Sequence, residues 1–296
     1  MAEVELTKED REEGGKRVKM SRVYKERKNM AFLQKKKDKG EKIVQCCPVM
    51  FGPMFAIAAE MADVDIARIA ASHMATMPDQ MISAPLTIDD YRRMTNIIHL
   101  NLLLPTGAYA DKATAFAYCS DLVHRGCDSV LPMGVTNDML KHLTDNYVPV
   151  YGHIGAISGW QTAPTGYKRI GKTAEDAMRV FKMGYEYQEN GMGGMTIELT
   201  PIEVSAAVAK KLRVPVIGIA GGAACDGSEM VDMDLFGVNP NLASHAVQTA
   251  DFLQFAIDGY IEWWDMVTEG KYPEDKHGWH MDPVELEKFN EMVEKF

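Results

Sequence analysis

The chain has 296 residues, 46% hydrophobic and 25% charged, which excludes a disordered or fibrous protein and suffices for one barrel-sized domain or two ordinary ones. Its formal charge of -10 is uneven: residues 1–42 carry 14 Lys+Arg against 9 Asp+Glu, leaving 18 against 33 for the remainder. A body that acidic repels phosphate backbones, and the basic leader lacks the interleaved aromatics of a stacking surface, so no nucleic-acid partner is expected.

Residues 1–28 read as a charged arm without periodicity, opening on Glu3, Glu5, Glu9 and Asp10, which does not resemble a secretory signal. From Lys42 the pattern changes to short apolar runs alternating with longer amphipathic stretches, the mark of an α/β fold. The runs predict strands over 43–47, 65–71, 98–104, 129–133, 148–154, 195–199 and 215–220, with a weaker one near 230–235. Helices are predicted over 54–62, 113–125, 174–190 and 201–212. After Asn239, two further helical stretches include the aromatic run Tyr260, Trp263 and Trp264. Eight strands at this cadence match a (β/α)8 TIM barrel, giving one domain over 29–296 behind the arm at 1–28. Neither a G-x-G-x-x-G nor a Walker loop follows the first strand, so no dinucleotide or ATP site is expected.

No run of about 18 apolar residues is present, so no membrane partner is expected and the compartment is expected to be cytoplasmic. Five cysteines, Cys46, Cys47, Cys119, Cys127 and Cys225, with no C-x-x-C, read as reduced thiols. The 21 methionines read as adaptable packing.

In a barrel of this kind, chemistry sits at the C-terminal ends of the strands. Within 195–203, Ile197 and Leu199 alternate with Thr196 and Glu198, so Glu198 points inward if the apolar pair faces the helices. Thr200, Pro201 and Glu203 read as N-cap, first helical position and capping-box partner, which puts Glu198 at the mouth. A partly desolvated carboxylate there would have a raised pKa and serve as general base; the alternative is a structural glutamate paired with Lys or Arg. His153 ends the neighbouring strand between Gly152 and Gly155 and reads as a second site residue. The basic loop 166–172 either closes over an anion or is a solvated turn. Segment 218–227 follows strand seven, where backbone N–H groups often hold anions, and Cys225 within it reads as structural.

Taken in order, 37–44 (KDKGEKIV), 148–155 (VPVYGHIG), 166–172 (GYKRIGK), 197–201 (IELTP), 216–227 (VIGIAGGAACDG), 234–237 (DLFG) and 270–277 (GKYPEDKH) resemble the ketopantoate hydroxymethyltransferase family. The resemblance implies a barrel of the phosphoenolpyruvate mutase and isocitrate lyase type, assembled as a homo-oligomer, a decamer in that family. It implies deprotonation of a small 2-oxo acid beside its carbonyl, with methylenetetrahydrofolate as candidate co-substrate. Glu198 matches the family's base, His153 its substrate-side histidine, and Ser72 the serine that holds substrate.

The family binds magnesium through aspartates ending strands two and three, where this chain has Ala71 and Leu103. On strand four the family's lysine and glutamate positions hold Leu131 and Met133. Hard oxygen ligands have become apolar, so the expectation is no metal ligand set and no bound magnesium. His73, Asn101 and His99 are the nearby polar groups that could substitute, and Ser72, His73, Asn101, Leu103 and Met133 are the expected substrate-binding residues. The leading expectation is a repurposed hydroxymethyltransferase-like enzyme of one-carbon or carbon–carbon bond chemistry. The alternatives are a metal-independent lyase or isomerase on a less polar substrate, and a non-catalytic barrel used for binding or assembly.

Overall fold

Each short apolar run becomes one strand of a single parallel sheet that curls back on itself. The structure, a computed structural model, describes residues 27–49, 52–70, 80–157 and 168–296. In chain order the elements are α1 (Met30–Asp38), β1 (Ile43–Cys47), α2 (Pro53–Met61), β2 (Ile66–Ala70), α3 (Gln80–Met94), β3 (His99–Leu103), α4 (Lys112–His124), β4 (Ser129–Leu131), α5 (Asn137–Asp145), β5 (Gly152–Gly155), α6 (Ala174–Glu189), β6 (Met195–Glu198), α7 (Ile202–Lys211), β7 (Val216–Ile219), β8 (Gly227–Val231), α8 (Asp232–Leu235), α9 (Phe252–Thr268) and α10 (Pro283–Val293). The strand order is β4-β3-β2-β1-β8-β7-β6-β5, and a parallel bridge between Val130 and Val150 joins the two ends. This is the expected (β/α)8 barrel.

Side-chain parity separates two cores. Ala67, Ile69, Leu100, Leu102, Val130, Ile154, Met195 and Ile197 pack with Ala84, Ile88, Leu122, Leu140 and Val208 of the helices. Alternate residues Ile43, Cys47, Ile66, Leu103, Leu131, Tyr151 and Ile217 cluster inside the barrel. Each fully buried Leu or Ile contributes about 1.5–3 kcal/mol, so reversing the parity of one strand would cost several such terms.

Helix α1 closes the N-terminal end of the barrel. Its Leu33 joins the inner cluster, and its lysines reach strand-end carboxylates: Lys36 Nζ lies 2.6 Å from Asp65 Oδ2 and Lys37 Nζ lies 2.6 Å from Asp226 Oδ2. Just before it, buried Lys28 lies 2.9 Å from Asp63 Oδ1 and 3.2 Å from Asp65 Oδ1. Several positive charges of the basic leader thus neutralise the floor of the acidic body.

Two local expectations are corrected. The weak strand near 230–235 lies earlier, at Gly227–Val231, and residues 232–235 form a helical turn with Asp232 buried at its start. Helix α7 is capped at Pro201 with no side-chain cap, because the Thr200 hydroxyl turns to Ser205 Oγ at 2.7 Å. Helices α9 and α10 bury none of their residues in this single chain.

Candidate active site

Strand β6 carries Ile197 outward, so Thr196 and Glu198 face the interior, as alternation predicts. Leu199 leaves the alternation: its φ of +49° is left-handed, a conformation that costs a residue with a Cβ roughly 1–2 kcal/mol. The strand therefore ends at Glu198. Its register partner on β5 is Gly155, whose φ is +86°, and a Cβ there would collide with the Glu198 carbonyl oxygen. Glycine at 155 lets the two strand ends approach.

That approach brings two of the expected residues together. His153 Nε2 lies 2.9 Å from Glu198 Oε2 and 2.8 Å from the Ala156 carbonyl oxygen. Both neighbours accept, so Nε2 carries the proton and donates between them. His153 Nδ1 is buried and has no hydrogen-bond partner among the described residues. In the neutral ring it presents a lone pair. Both side chains are almost wholly enclosed, at 2% and 9% exposure, so their interaction is little screened by solvent.

The remaining expected residues divide. Leu103 and Met133 are buried in the inner cluster beside Leu131 and Cys47, forming an apolar wall at the mouth. Asn101 does not reach the mouth: its Oδ1 accepts from Arg68 Nε at 3.1 Å and its Nδ2 donates to Ser129 Oγ at 2.9 Å. His99 lies at the opposite end of β3, with Nδ1 2.9 Å from the Lys28 carbonyl oxygen and Nε2 2.7 Å from Ser129 Oγ. Burial lowers its pKa to about 4, so it is neutral. Cys225 is buried, and desolvation pushes its thiol up to about 11, in keeping with a structural role. Ser72, His73, Ala71 and the Gly166–Tyr167 start of the basic loop lie outside the described residues.

Sequence reasoning missed a polar layer one step below Glu198. Arg68 of β2 crosses the interior, with Nη2 donating to Thr196 Oγ1 at 2.7 Å and Nη1 lying 3.2 Å from Glu229 Oε2 of β8. Glu229 Oε2 also accepts from Gln45 Nε2 at 2.9 Å and Thr196 Oγ1 at 3.1 Å. Tyr151 donates to Gln45 Oε1 at 3.2 Å and places its ring 5.4 Å from the Arg68 guanidinium carbon. Burial holds the Glu229 carboxyl above its ordinary range, with the Glu198 charge adding to the rise, while Arg68 and His153 beside it oppose it. The available signal was an arginine inside Ile-Ala-Arg-Ile-Ala and a glutamate inside Gly-Ser-Glu-Met-Val, charges embedded in strand runs.

Among the described residues, no group of three or more His, Cys, Asp or Glu could hold a metal ion. In the described part of the mouth, Leu103, Leu131 and Met133 supply no oxygen ligand, and residues 71–79 lie outside the described residues. Among the described residues, no helix is long and apolar enough to cross a membrane.

The fold is similar to that of 2,3-dimethylmalate lyase, a phosphoenolpyruvate mutase/isocitrate lyase superfamily member, with TM-score 0.51 and 11% identity over 90% of this chain and 95% of that one. It is also similar to the carboxyl transferase domain of Rhizobium etli pyruvate carboxylase, with TM-score 0.53 and 11% identity over 78% of this chain and 46% of that one. In sequence, 248 residues are 29% identical to 3-methyl-2-oxobutanoate hydroxymethyltransferase 1 of Methylibium petroleiphilum, covering 80% of this chain and 84% of that protein. The 3-methyl-2-oxobutanoate hydroxymethyltransferase of Burkholderia mallei is 29% identical over 260 residues, covering 83% and 93%. The ketopantoate hydroxymethyltransferase family pattern matches residues 27–275. That family is magnesium-dependent and acts on ketoisovalerate with methylenetetrahydrofolate, which overturns the expectation that magnesium has no place here. With relatives matched over most of their length and the family pattern running from Arg27 to Asp275, the chain belongs to the ketopantoate hydroxymethyltransferase family.

Proposed function

We propose that the protein is a hydroxymethyltransferase-like transferase that deprotonates a small 2-oxo acid next to its carbonyl and joins the resulting carbanion equivalent to a one-carbon unit. The observation that carries this reading is the buried His153–Glu198 contact of 2.9 Å at the C-terminal end of the barrel. Glu198 is the base: its carboxylate takes the proton from C3, the C3–H electron pair becomes the C2–C3 double bond of the enolate, and negative charge moves to the carbonyl oxygen. With methylenetetrahydrofolate as the donor by family membership, C3 would bond to its methylene carbon while both C–N bonds of that carbon break; water would supply the hydroxyl, and the protons from C3 and from water would go to the folate nitrogens, releasing tetrahydrofolate. His153 holds the Oε2 oxygen of the carboxylate through Nε2–H. A base held in one rotamer is pre-oriented, which lowers the entropic part of the barrier. Leu103, Leu131 and Met133 limit water at the mouth and favour a substrate with a branched apolar tail.

The apolar wall also favours a second reading, in which the same base serves a lyase or isomerase acting on a less polar acid. Incubation of the protein with 3-methyl-2-oxobutanoate and magnesium in D2O, following the C3 proton by NMR, tests the first. Exchange that is at least 100-fold slower in Glu198→Gln is expected. Equal exchange rates in the two proteins would refute the base assignment, and no exchange in the native protein would favour the second reading.

A further inference from the structure

TIM-barrel interiors are filled mainly by branched apolar side chains. Here the layer beneath the mouth is charged. Arg68 and Glu229, 161 positions apart, pair at 3.2 Å with side chains 6% and 3% exposed, and their polar atoms are met by Asn101, Thr196 and Gln45. A buried ion pair is weak evidence for stability, because apolar residues of similar volume usually do as well or better. Some other property is served by these charges.

The layer has a direct route to the base. Thr196 accepts from Arg68 and donates to Glu229, and it precedes Glu198 by two residues on the same inward face of β6; its register partner on β5 is His153. Resting on the reading of Glu198 as base, we propose that Arg68 and Glu229 are positioning residues: they hold the inward face of β6 through Thr196, and the Glu229 charge acts on Glu198, the next inward residue of that strand. The titratable and charged groups around Glu229 among the described residues are Arg68 from β2, Cys46 and Cys47 from β1, Tyr151 just before β5, His153 from β5, and Glu198 from β6. Arg68 is the cation of this set that is always charged. Burial holds the Glu229 carboxyl above its ordinary range and Arg68 opposes that rise; the charge that Arg68 supports on Glu229 in turn disfavours a negative charge at Glu198. Electrostatic coupling of this kind is reciprocal, so each group shifts the other by the same free energy.

Glu229→Gln removes the charge while keeping the shape and an acceptor for Gln45. With the like charge gone and Arg68 left uncompensated, Glu198 ionises more readily. The acid limb of the C3-exchange pH profile is expected to move down by about one pH unit, with a weaker base and a plateau rate lowered about tenfold. Glu229→Asp, which retains the charge, is expected to leave the acid limb in place. A purely structural Glu229 would lower stability in both variants and leave the acid limb of both unchanged, which would overturn the proposal. Glu198→Gln is the control: if it exchanges as fast as native protein, the base assignment fails irrespective of Glu229. A second readout needs no turnover: the NMR resonance of the His153 Nε2–H proton, which reports its hydrogen bond to Glu198, is expected to move in Glu229→Gln and to stay in place in Glu229→Asp. An unchanged resonance in Glu229→Gln would sink the proposal even if 3-methyl-2-oxobutanoate is not the substrate.

Discussion

His153 and Glu198 sit on neighbouring strands with Nε2 and Oε2 2.9 Å apart, and the second acceptor at Nε2, the Ala156 carbonyl oxygen, fixes which nitrogen holds the proton. The consequence is directional: histidine donates to the Glu198 carboxylate through Nε2, and the lone pair of the neutral ring is on Nδ1.

If that donation orients the base, His153→Ala should lower the C3-exchange rate about 100-fold, and His153→Gln, whose amide can still donate, should lower it less. Circular dichroism and thermal melting check that both variants fold. Equal rates in His153→Ala and native protein would remove histidine from the site.

The Arg68–Glu229 pair should show strong non-additivity. Arg68→Met or Glu229→Leu alone leaves a buried charge without its partner and is expected to cost about 3–5 kcal/mol, while the double variant should return close to native stability. Urea unfolding of the four proteins measures this. Additive losses would mean that the two side chains do not act as a pair.

His99 makes stability pH-dependent. Its pKa falls from 6.5 to about 4 on folding, because the buried ring resists charging. The unfolded chain therefore binds the proton first, so this contribution is fully present above about pH 6.5 and is lost as pH falls toward 4, by about 3 kcal/mol in all. His99→Gln should flatten the stability curve over that window in denaturant titrations. A native curve already flat there would contradict a neutral His99.

Two glycines should respond in opposite directions to alanine. Gly155→Ala forces a Cβ against the Glu198 carbonyl oxygen at a φ of +86°, and is expected to destabilise by more than about 1 kcal/mol and to slow exchange by displacing the base. Gly259 lies in the interior of α9 with open space around it, so Gly259→Ala should stabilise by about 0.5–1 kcal/mol. Thermal melts of both variants make the comparison. Similar shifts in the same direction would show that local geometry at 155 is not the constraint.

Much of the fold was legible because barrel strands announce themselves locally. Strand β1 matches its expected bounds, and β2, β3, β6 and β7 lie within theirs, since an apolar run between turn residues has few other ways to bury itself. Strand β5 was misplaced toward its start: 148–151 reads as strand from its residues, yet only Val150 bridges there, and the regular ladder begins at Gly152. Strand β8 was misread because Gly-Ser-Glu-Met-Val carries a buried glutamate that breaks the apolar pattern. Asn101 was read as a mouth residue by its proximity to Leu103, but it belongs to the layer below, bound to Arg68 and Ser129.

The sequence by itself determined the barrel, the family and the inward direction of Glu198, because all three rest on local periodicity and on motifs read in order. Only the tertiary structure decided what Glu198 and His153 touch, and what lies beneath them. Arg68, Gln45, Asn101, Thr196 and Glu229 come from five strands and Tyr151 immediately precedes a sixth, and their hydrogen bonds depend on closure of the sheet, on register and on strand parity. None of these is encoded in a window of neighbouring residues. A charge in an apolar strand is visible in a sequence, but its partner is chosen by the geometry that brings opposite walls of the barrel together.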